Sequence, residues 1–404
     1  MPRKKTTKKK KTTKRTKSSS SKSFEGITKI KVIGVGGGGG NIISRMKDKT
    51  KIKGVEYIAV NTDAQDLNHA SANKKIHIGK ALTKGLGAGM NPEIGKRAAE
   101  ENRSEIGEIL EGADVVFVVA GFGGGTGSGA APVIAEIAKE KDILTIGVTT
   151  KPFSFEGSKR MSIAQDSLGK MKDVVDSLVV IPNDRVFSVI SKDTPVIKAF
   201  EHIDDVLIYG VQALAELVNM PGIINVDFAD IAAILKDAGP SLIGVGIASG
   251  QDRGVKAVNE AINSPLIETS IEGAKGVLFS ISGTKDLKMS EINDIAKAVV
   301  SNLDSNAKVI FGAYHDRTVK KKNVKVTVIA TGFSGFLSNG NSSSGIPQLF
   351  SSDDNSSSKF NSKSEDYSKK DKEDSSSNKE KEKKPEESKT EPWDIPAFLR
   401  KKKK

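Results

Sequence analysis

The stretch Gly123-Gly124-Gly125-Thr126-Gly127-Ser128-Gly129 follows the strand-like run Ala113–Ala120 and precedes the helix-like run Ala130–Glu140. Its five glycines let the backbone approach an anion closely and direct several N–H groups at it. The following helix adds the positive end of its dipole at the same place. The pattern therefore predicts a strand, a phosphate-binding glycine loop and a helix. The alternative is a tight turn whose glycines only relieve steric strain.

A second glycine-rich segment, Gly34–Asn41, follows the strand-like run Lys29–Val35 and satisfies G-x-G-x-x-G. Taken alone it favours a dinucleotide site, with Asp63 as the acid that binds a ribose. The first loop is not a P-loop, because Gly129 is followed by alanine instead of the lysine that the motif requires. Two such loops in one parallel sheet indicate that both hold a single polyphosphate.

The charge of the chain is carried by its ends. Residues 1–22 contain eleven Lys or Arg and no acid, whereas residues 23–350 contain 37 basic and 37 acidic residues. A neutral folded region argues against a folded nucleic-acid-binding surface. The chain has no cysteine, which excludes disulfides and thiolate metal sites, and no apolar run of membrane-spanning length. We expect a soluble protein with disordered tails, and the lack of cysteine is compatible with a reducing compartment.

Between the tails, apolar strand-like runs alternate with helix-like runs. Strands are predicted at Val55–Val60, Ile76–Ile78, Ile143–Thr149 and Leu178–Ile181 besides the two already described, and one helix at Pro92–Leu110. The helix after Gly34–Asn41 is expected at Ile42–Lys47. This alternation predicts a doubly wound α/β fold with a parallel sheet and a ligand at the carboxyl ends of its strands.

A long amphipathic helix is predicted from Pro195 to Val218, because apolar residues recur there at spacings of three and four. A second, smaller α/β region follows. Its predicted strands are Ser241–Ala248, Gly276–Ser282, Ala307–Gly312 and Lys325–Thr331, and its predicted helices are Asp252–Asn263 and Ser290–Val300.

Two groups of charged residues are candidates for the chemistry. Glu156 and Arg160 form either a ligand contact or an i,i+4 ion pair on a helix. Asn225-Val226-Asp227-Phe228-Ala229-Asp230 precedes a helix, where Asp227 is either an N-cap or, together with Asp230, a group that orients water for attack on a phosphate. These carboxylates have no phosphate loop in their own part of the chain. In the second role they have to reach a nucleotide held elsewhere.

Several of these segments together resemble a known family. Gly123–Gly129 is similar to the signature of the tubulin superfamily. The chain resembles the FtsZ family of bacterial cell-division GTPases in six segments, which are Gly34–Asn41, Ala59–Gln65, Gly85–Gly89, Lys151–Gly157, Asn225–Asp230 and the tail Asp394–Arg400. The resemblance covers roughly residues 27–337 plus the tail.

The resemblance implies a Rossmann-like GTPase domain joined by a long central helix to a smaller α/β domain, with disordered tails. The implied domain organisation is a basic tail at 1–26, the GTPase domain at 27–194, the central helix at 195–222, the C-terminal domain at 223–337, a disordered linker at 338–389 and a partner-binding peptide at 390–404.

The resemblance also implies a polymerising GTPase that hydrolyses GTP, with Mg²⁺, between head-to-tail subunits of the division ring. Phosphates would be held by Gly37, Gly38, Gly39, Gly40, Asn41, Gly127, Ser128 and Gly129. Glu156 and Arg160 would contact the ribose side, and Asn183, Phe200 and Asp204 the guanine. The hydrolytic site of the next subunit would be completed by Asn225, Asp227 and Asp230.

Its implied partners are other copies of the chain and, through Trp393–Arg400, division proteins that tether filaments to the membrane at the division site. The basic tails are either solvated or attracted to nucleic acid or anionic membrane. Two alternative functions are also considered for this sequence. One is a nicotinamide-dependent oxidoreductase built on Gly34–Asn41, and the other is a filament of the same fold that moves plasmid DNA.

Overall fold

The computed structural model describes residues 28–49, 54–191, 193–220, 222–265, 271–316, 319 and 322–333. The predicted disordered linker, the partner-binding peptide at Trp393–Arg400 and the basic tail lie outside these residues. Among the described residues, no helix is long and apolar enough to cross a bilayer.

The described residues form ten strands in one sheet. The strands are β1 (Ile30–Val35), β2 (Val55–Asn61), β3 (Lys74–His77), β4 (Val115–Gly121), β5 (Leu144–Lys151), β6 (Ser177–Pro182), β7 (Gly239–Ser249), β8 (Gly276–Gly283), β9 (Lys308–His315) and β10 (Asn323–Thr331). They lie in the order β3-β2-β1-β4-β5-β6-β7-β10-β8-β9. Pairing is parallel from β3 to β7 and between β8 and β9, and β10 runs antiparallel to both of its neighbours.

The same residues form eleven α-helices. These are α1 (Gly36–Lys49), α2 (Ala64–His69), α3 (Lys80–Thr83), α4 (Pro92–Glu101), α5 (Arg103–Leu110), α6 (Thr126–Glu140), α7 (Ser158–Val174), α8 (Val196–Asn219), α9 (Phe228–Leu235), α10 (Arg253–Ile262) and α11 (Met289–Val300). Short 3₁₀ turns lie at Ser154–Glu156 and Asn183–Ser188.

Helices cover both faces of the parallel part of the sheet. Alternate residues of β4 enter opposite cores: Phe117 packs in the core that contains α1 and α8, and Val118 in the core that contains α4 to α7. Every residue of β4 from Val115 to Ala120 is buried, as expected for a central parallel strand covered on both faces. The predicted doubly wound α/β fold is confirmed.

The structure differs from the predicted helix limits at three places. The helix after β1 begins at Gly36 instead of Ile42, so the glycine-rich segment is itself the first turn. The helix after β4 begins at Thr126, inside the glycine loop. The single helix expected at Pro92–Leu110 is two helices, because it is interrupted at Asn102, whose side chain accepts a hydrogen bond from the N–H of Gly79.

Candidate functional site

The glycine loop after β4 is closed by one of its own side chains. Gly123 has φ +100°, and its N–H donates to the Oγ of Ser128, 2.9 Å away. Helix α6 starts three residues after Gly123, and the first N–H groups of a helix have no carbonyl partner within it. The loop therefore presents unpaired backbone donors at the positive end of a helix of fifteen residues.

The loop after β1 meets the first loop backbone to backbone. Gly36 has φ +70°, and a Cβ at this residue would lie 2.9 Å from the backbone nitrogen of Gly127. A Cβ at Gly38 would lie 3.4 Å from the Cα of Gly121. The N-termini of α1 and α6 thus converge, and an anion placed between them would receive N–H groups from both.

A cavity of about 800 Å³ opens over these two helix ends. We call it the loop cavity. It is lined by Val35, Gly36, Gly37, Gly38, Asn41, Ile42, Arg45, Gly121, Phe122, Gly124, Gly125, Thr126, Gly127, Thr150, Pro152, Phe153, Phe155, Glu156, Arg160, Asn183, Val196, Phe200, Ile203 and Asp204. Its volume is in the range of sites that take drug-sized ligands or cofactors.

Two ion pairs lie on the walls of the loop cavity. The guanidinium of Arg45 on α1 is 2.5 Å from a carboxylate oxygen of Asp204 on α8. Burial raises the pKa of Asp204 to about 6, although the charge of Arg45 opposes the shift. On the other wall, Arg160 pairs with Glu156 at 2.5 Å, and Glu156 also accepts a hydrogen bond from the N–H of Phe153. The predicted i,i+4 ion pair of Glu156 and Arg160 is therefore present and also lines the cavity, but the two residues do not share a helix, because Glu156 ends a 3₁₀ turn and Arg160 lies in α7.

Aromatic side chains form one side of the mouth. The ring of Phe153 is buried and lies 4.8 Å from that of Phe155, 5.6 Å from that of Phe187 and 5.5 Å from that of Phe200. The three outer rings are exposed, Phe200 by 40%. Flat apolar surfaces of this kind suit the face of a planar base.

The structure places most of the residues predicted for the nucleotide around one cavity. In the lining are Gly37, Gly38, Asn41, Gly127, Glu156, Arg160, Asn183, Phe200 and Asp204. The predicted residues that lie outside the lining are Gly39, Gly40, Ser128 and Gly129.

Packing accounts for two of these glycines. A Cβ at Gly39 would lie 2.3 Å from the carbonyl oxygen of Val119, and one at Gly129 would lie 1.9 Å from that of Pro92. Gly39 lets α1 approach the sheet, and Gly129 lets α6 approach α4. Gly40 has no atom within 4 Å of its Cβ position, so packing places no such demand on it.

The carboxylates predicted to act on the nucleotide lie apart from the loop cavity. Asn225, Asp227 and Asp230 are exposed, and none of them lines it. Asn225 accepts a hydrogen bond from the N–H of Gly222 at 2.6 Å. Asp227 occupies the N-cap position of α9, but its side chain makes no capping hydrogen bond. The N-cap interpretation thus explains its backbone and leaves its carboxylate unused.

The acid expected for a dinucleotide site has another task. The carboxylate of Asp63 accepts hydrogen bonds from the N–H groups of Gln65 and Asp66 and caps α2. This arrangement does not support the oxidoreductase alternative.

Sequence reasoning did not find Arg45, which lies 159 residues from its partner Asp204. Its place one helical turn after Asn41 is the only signal available, and that signal requires knowing that α1 starts at Gly36. At the start of α6, the hydroxyl of Thr126 is hydrogen-bonded to that of Thr62 at 2.7 Å.

The chain matches the description "Tubulin/FtsZ family, GTPase domain" over residues 29–191 and "FtsZ family, C-terminal domain" over residues 239–334. It is 42% identical to a solved structure of FtsZ from M. jannaschii, an empty dimer, and covers 95% of that chain with 80% of its own, at a TM-score of 0.73. The chain belongs to the FtsZ family.

Two further solved structures agree with this assignment. A single-substitution mutant of the M. jannaschii FtsZ is 44% identical, with 77% of this chain and 92% of that chain covered and a TM-score of 0.73. A GDP-bound monomer of CetZ1 from Haloferax volcanii is 25% identical, with 76% and 95% covered and a TM-score of 0.66. Family membership makes this FtsZ-family protein a GTPase, and the loop cavity is its candidate GTP site.

The residues around the loop cavity do not form a metal cage. Within the part of the chain that the structure describes, no group of three His, Asp or Glu side chains could hold a metal ion. The carboxylates of Glu156 and Asp204 are each paired with an arginine.

Proposed function

We propose that this FtsZ-family protein polymerises head to tail, hydrolyses GTP between its subunits and forms the cytoskeletal ring of a dividing cell. The observation that carries the proposal is the separation of the two halves of the site. The loop cavity holds the binding groups, while the exposed carboxylates of Asp227 and Asp230 lie outside it. A second subunit would bring the two halves together.

Within one subunit, the convergent N-termini of α1 and α6 would bind the phosphates through backbone N–H groups. Glu156 and Arg160 would contact the ribose side. Gly39, Gly40, Ser128 and Gly129 would support the phosphate loops from behind or from the side.

The guanine would stack on Phe200, with Asn183 beside it, and bind the carboxylate of Asp204. Guanine offers two N–H donors on its Watson–Crick edge, at N1 and N2, and a carboxylate accepts both. Adenine has only an acceptor at N1 and no amino group at the neighbouring carbon, so the same carboxylate would disfavour it. Arg45, only 2.5 Å from Asp204, would keep this carboxylate ionised and oriented.

Asp227 and Asp230 of the next subunit would orient the water that attacks the terminal phosphate, with Asn225 shaping the loop that carries them. Carboxylates have this role in phosphoryl transfer, where positioning and electrostatics supply most of the rate. Hydrolysis would then require assembly. Mg²⁺ bound to the nucleotide would neutralise phosphate charge.

The cellular setting rests on the resemblance. Trp393–Arg400 would dock on division proteins that tether the filament to the membrane, and the basic tails would add contacts to anionic membrane or nucleic acid. The protein would act in the cytoplasm at the division site. The bacterial assignment stays a prediction, since the similar structures come from M. jannaschii and Haloferax volcanii. The domain boundaries at 27–194, 195–222 and 223–337 are part of the same proposal.

The test is sedimentation of the purified protein with GTP, GDP or ATP, with phosphate release measured in parallel. We expect polymer and phosphate with GTP alone. Asp230→Ala should still bind GTP and sediment, while phosphate release falls by at least about ten-fold, because a catalytic group is lost.

The matched control is Asp294→Ala, which removes an exposed acid from α11. It should leave both measurements unchanged. Parental phosphate release by Asp230→Ala, or equal turnover of unassembled subunits, would contradict the proposed shared site.

A further inference from the structure

Asp176, between α7 and β6, is a point at which four parts of the chain are fastened together. Its carboxylate is 2% exposed and accepts hydrogen bonds from the N–H of Thr145 at 2.8 Å and of Asp237 at 3.3 Å. Its backbone carbonyl accepts from the N–H of Gly239 at 2.8 Å. The same carboxylate is bound by the ammonium group of Lys139.

Lys139 joins two acids that lie just before the neighbouring strands β6 and β7. It lies in the last turn of α6, and its Nζ donates to Asp176 and, at 2.8 Å, to the carboxylate of Asp237. Asp237 lies in the turn between α9 and β7 and has φ +50°. Burial alone would lower the pKa of Lys139, but its hydrogen bonds to the two carboxylates raise it, so the group stays charged.

Asp237 lies close in sequence to α9, the helix that carries Asp230. Helix α9 has eight residues and measures about 12 Å, and it carries Asp230 in its first turn. Its last residue, Leu235, is two residues before Asp237. A rigid helix of two turns transmits a displacement at one end to the other, so a displacement of Asp237 would also change where α9 presents Asp230.

We infer that Lys139, Asp176 and Asp237 form a tie that positions Asp227 and Asp230 for hydrolysis on the neighbouring subunit. The inference rests on the proposed shared site. Lys139 is a positioning residue, since it lies at the far end of α6 from the glycine loop, roughly 20 Å along the helix, and would not touch the nucleotide.

The first test compares Lys139→Met, Lys139→Arg and Asp237→Asn in assembled protein. Lys139→Met and Asp237→Asn should lower kcat for GTP on the order of ten-fold, because small misplacements of catalytic groups have effects of this size. KM and the amount of polymer should change less than two-fold. Lys139→Arg keeps the charge and should restore most of the turnover.

Asp237→Asn tests the same contact with less risk that the protein misfolds. The Asp237 side chain is 72% exposed, so its neutralisation leaves no unpaired buried charge, whereas loss of Lys139 removes the cation beside the buried Asp176. The matched control is Glu140→Gln, which removes the ion pair of the neighbouring α6 residue Glu140 with Arg103 on α5 and leaves Lys139 in place. It should keep the parental kcat.

A mixing experiment distinguishes an effect of Lys139 on α9 from an effect on the glycine loop at the other end of α6. A small fraction of parent or Lys139→Met subunits is assembled with an excess of Asp230→Ala subunits, and phosphate release is measured per added subunit. Hydrolysis then occurs mainly where an added subunit presents its own α9 to the nucleotide of an Asp230→Ala subunit. We expect Lys139→Met to give on the order of ten-fold less phosphate than the parent in this mixture.

Each outcome has one meaning. Equal turnover from the two added proteins would overturn the tie and place the effect of Lys139 on the nucleotide of its own subunit. If added parent itself gives no phosphate, the proposed shared site fails, whatever Lys139 does. Parental kcat in both Lys139→Met and Asp237→Asn would also overturn the inference.

Discussion

Substituting Gly129 by alanine tests whether this glycine serves helix packing or phosphate binding. The added Cβ would lie 1.9 Å from the carbonyl oxygen of Pro92 and 2.6 Å from the nitrogen of Lys96. An unstrained contact needs roughly 3.4 Å, so α4 and α6 would have to separate by about 1.5 Å. Both obstructing atoms belong to backbone, which cannot rotate away as a side chain would.

The expected magnitude follows from two opposing effects. Overpacking of a tight contact costs about 1–3 kcal/mol, and a backbone clash belongs at the upper end of that range. Alanine in a helix interior returns about 1 kcal/mol relative to glycine. The net loss in the free energy of unfolding is about 2 kcal/mol, which lowers Tm by roughly 3 °C, because an unfolding entropy of about 2.1 cal/mol/K per residue gives about 0.6 kcal/mol/K for the folded part of this chain.

Thermal unfolding of the nucleotide-free protein measures this effect. Gly169→Ala is the matched control, because Gly169 lies within α7 and has no atom within 4 Å of its Cβ position. It should raise Tm by the helix-propensity effect alone. If Gly129→Ala unfolds at the parental temperature and only weakens GTP binding, the packing argument is wrong and Gly129 contacts the nucleotide.

Two further predictions concern the loop cavity. Gly40→Ala meets no protein atom, so it should leave Tm unchanged or raise it slightly, yet weaken GTP binding if the phosphates approach this backbone; unchanged affinity would remove Gly40 from the site. Asp204, with a pKa of about 6, is roughly one quarter ionised at pH 5.5 and almost fully at pH 7.5, so GTP affinity should fall about four-fold on acidification. The stability of the nucleotide-free protein should change in the opposite sense, because a raised carboxyl pKa favours the folded state below about pH 4 and this contribution is lost as the pH rises through 6. Asp204→Asn should remove the contribution of this carboxylate to both pH dependences and leave the contribution of the GTP phosphates to binding, and calorimetry at the two pH values checks this.

The strand and loop around Gly123–Gly129 could be predicted from sequence, because a fully apolar run followed by glycines has few other structures. The start of α1 could not. Five consecutive glycines have little intrinsic helix preference, and α1 forms there because it packs on the sheet, with Gly39 lying directly against β4.

The candidate site was only partly predictable for the same reason. Motif residues such as Asn41 and Glu156 are close in sequence to their loops. In contrast, the pairing of Arg45 with Asp204 and the contact of Lys139 with Asp237 join residues 159 and 98 positions apart. Such contacts depend on how helices from distant segments pack, which local periodicity does not encode.

The backbone contact between Gly36 and Gly127 links the stability of the chain to nucleotide occupancy. The two loops that share the anion are about 90 residues apart, so the site exists only when β1 and β4 are paired, and GTP binds the folded chain alone. A ligand at a hundred times its Kd adds about 2.7 kcal/mol to the free energy of unfolding. A chain without bound nucleotide lacks that margin, and cellular proteases would remove empty chains faster than loaded ones.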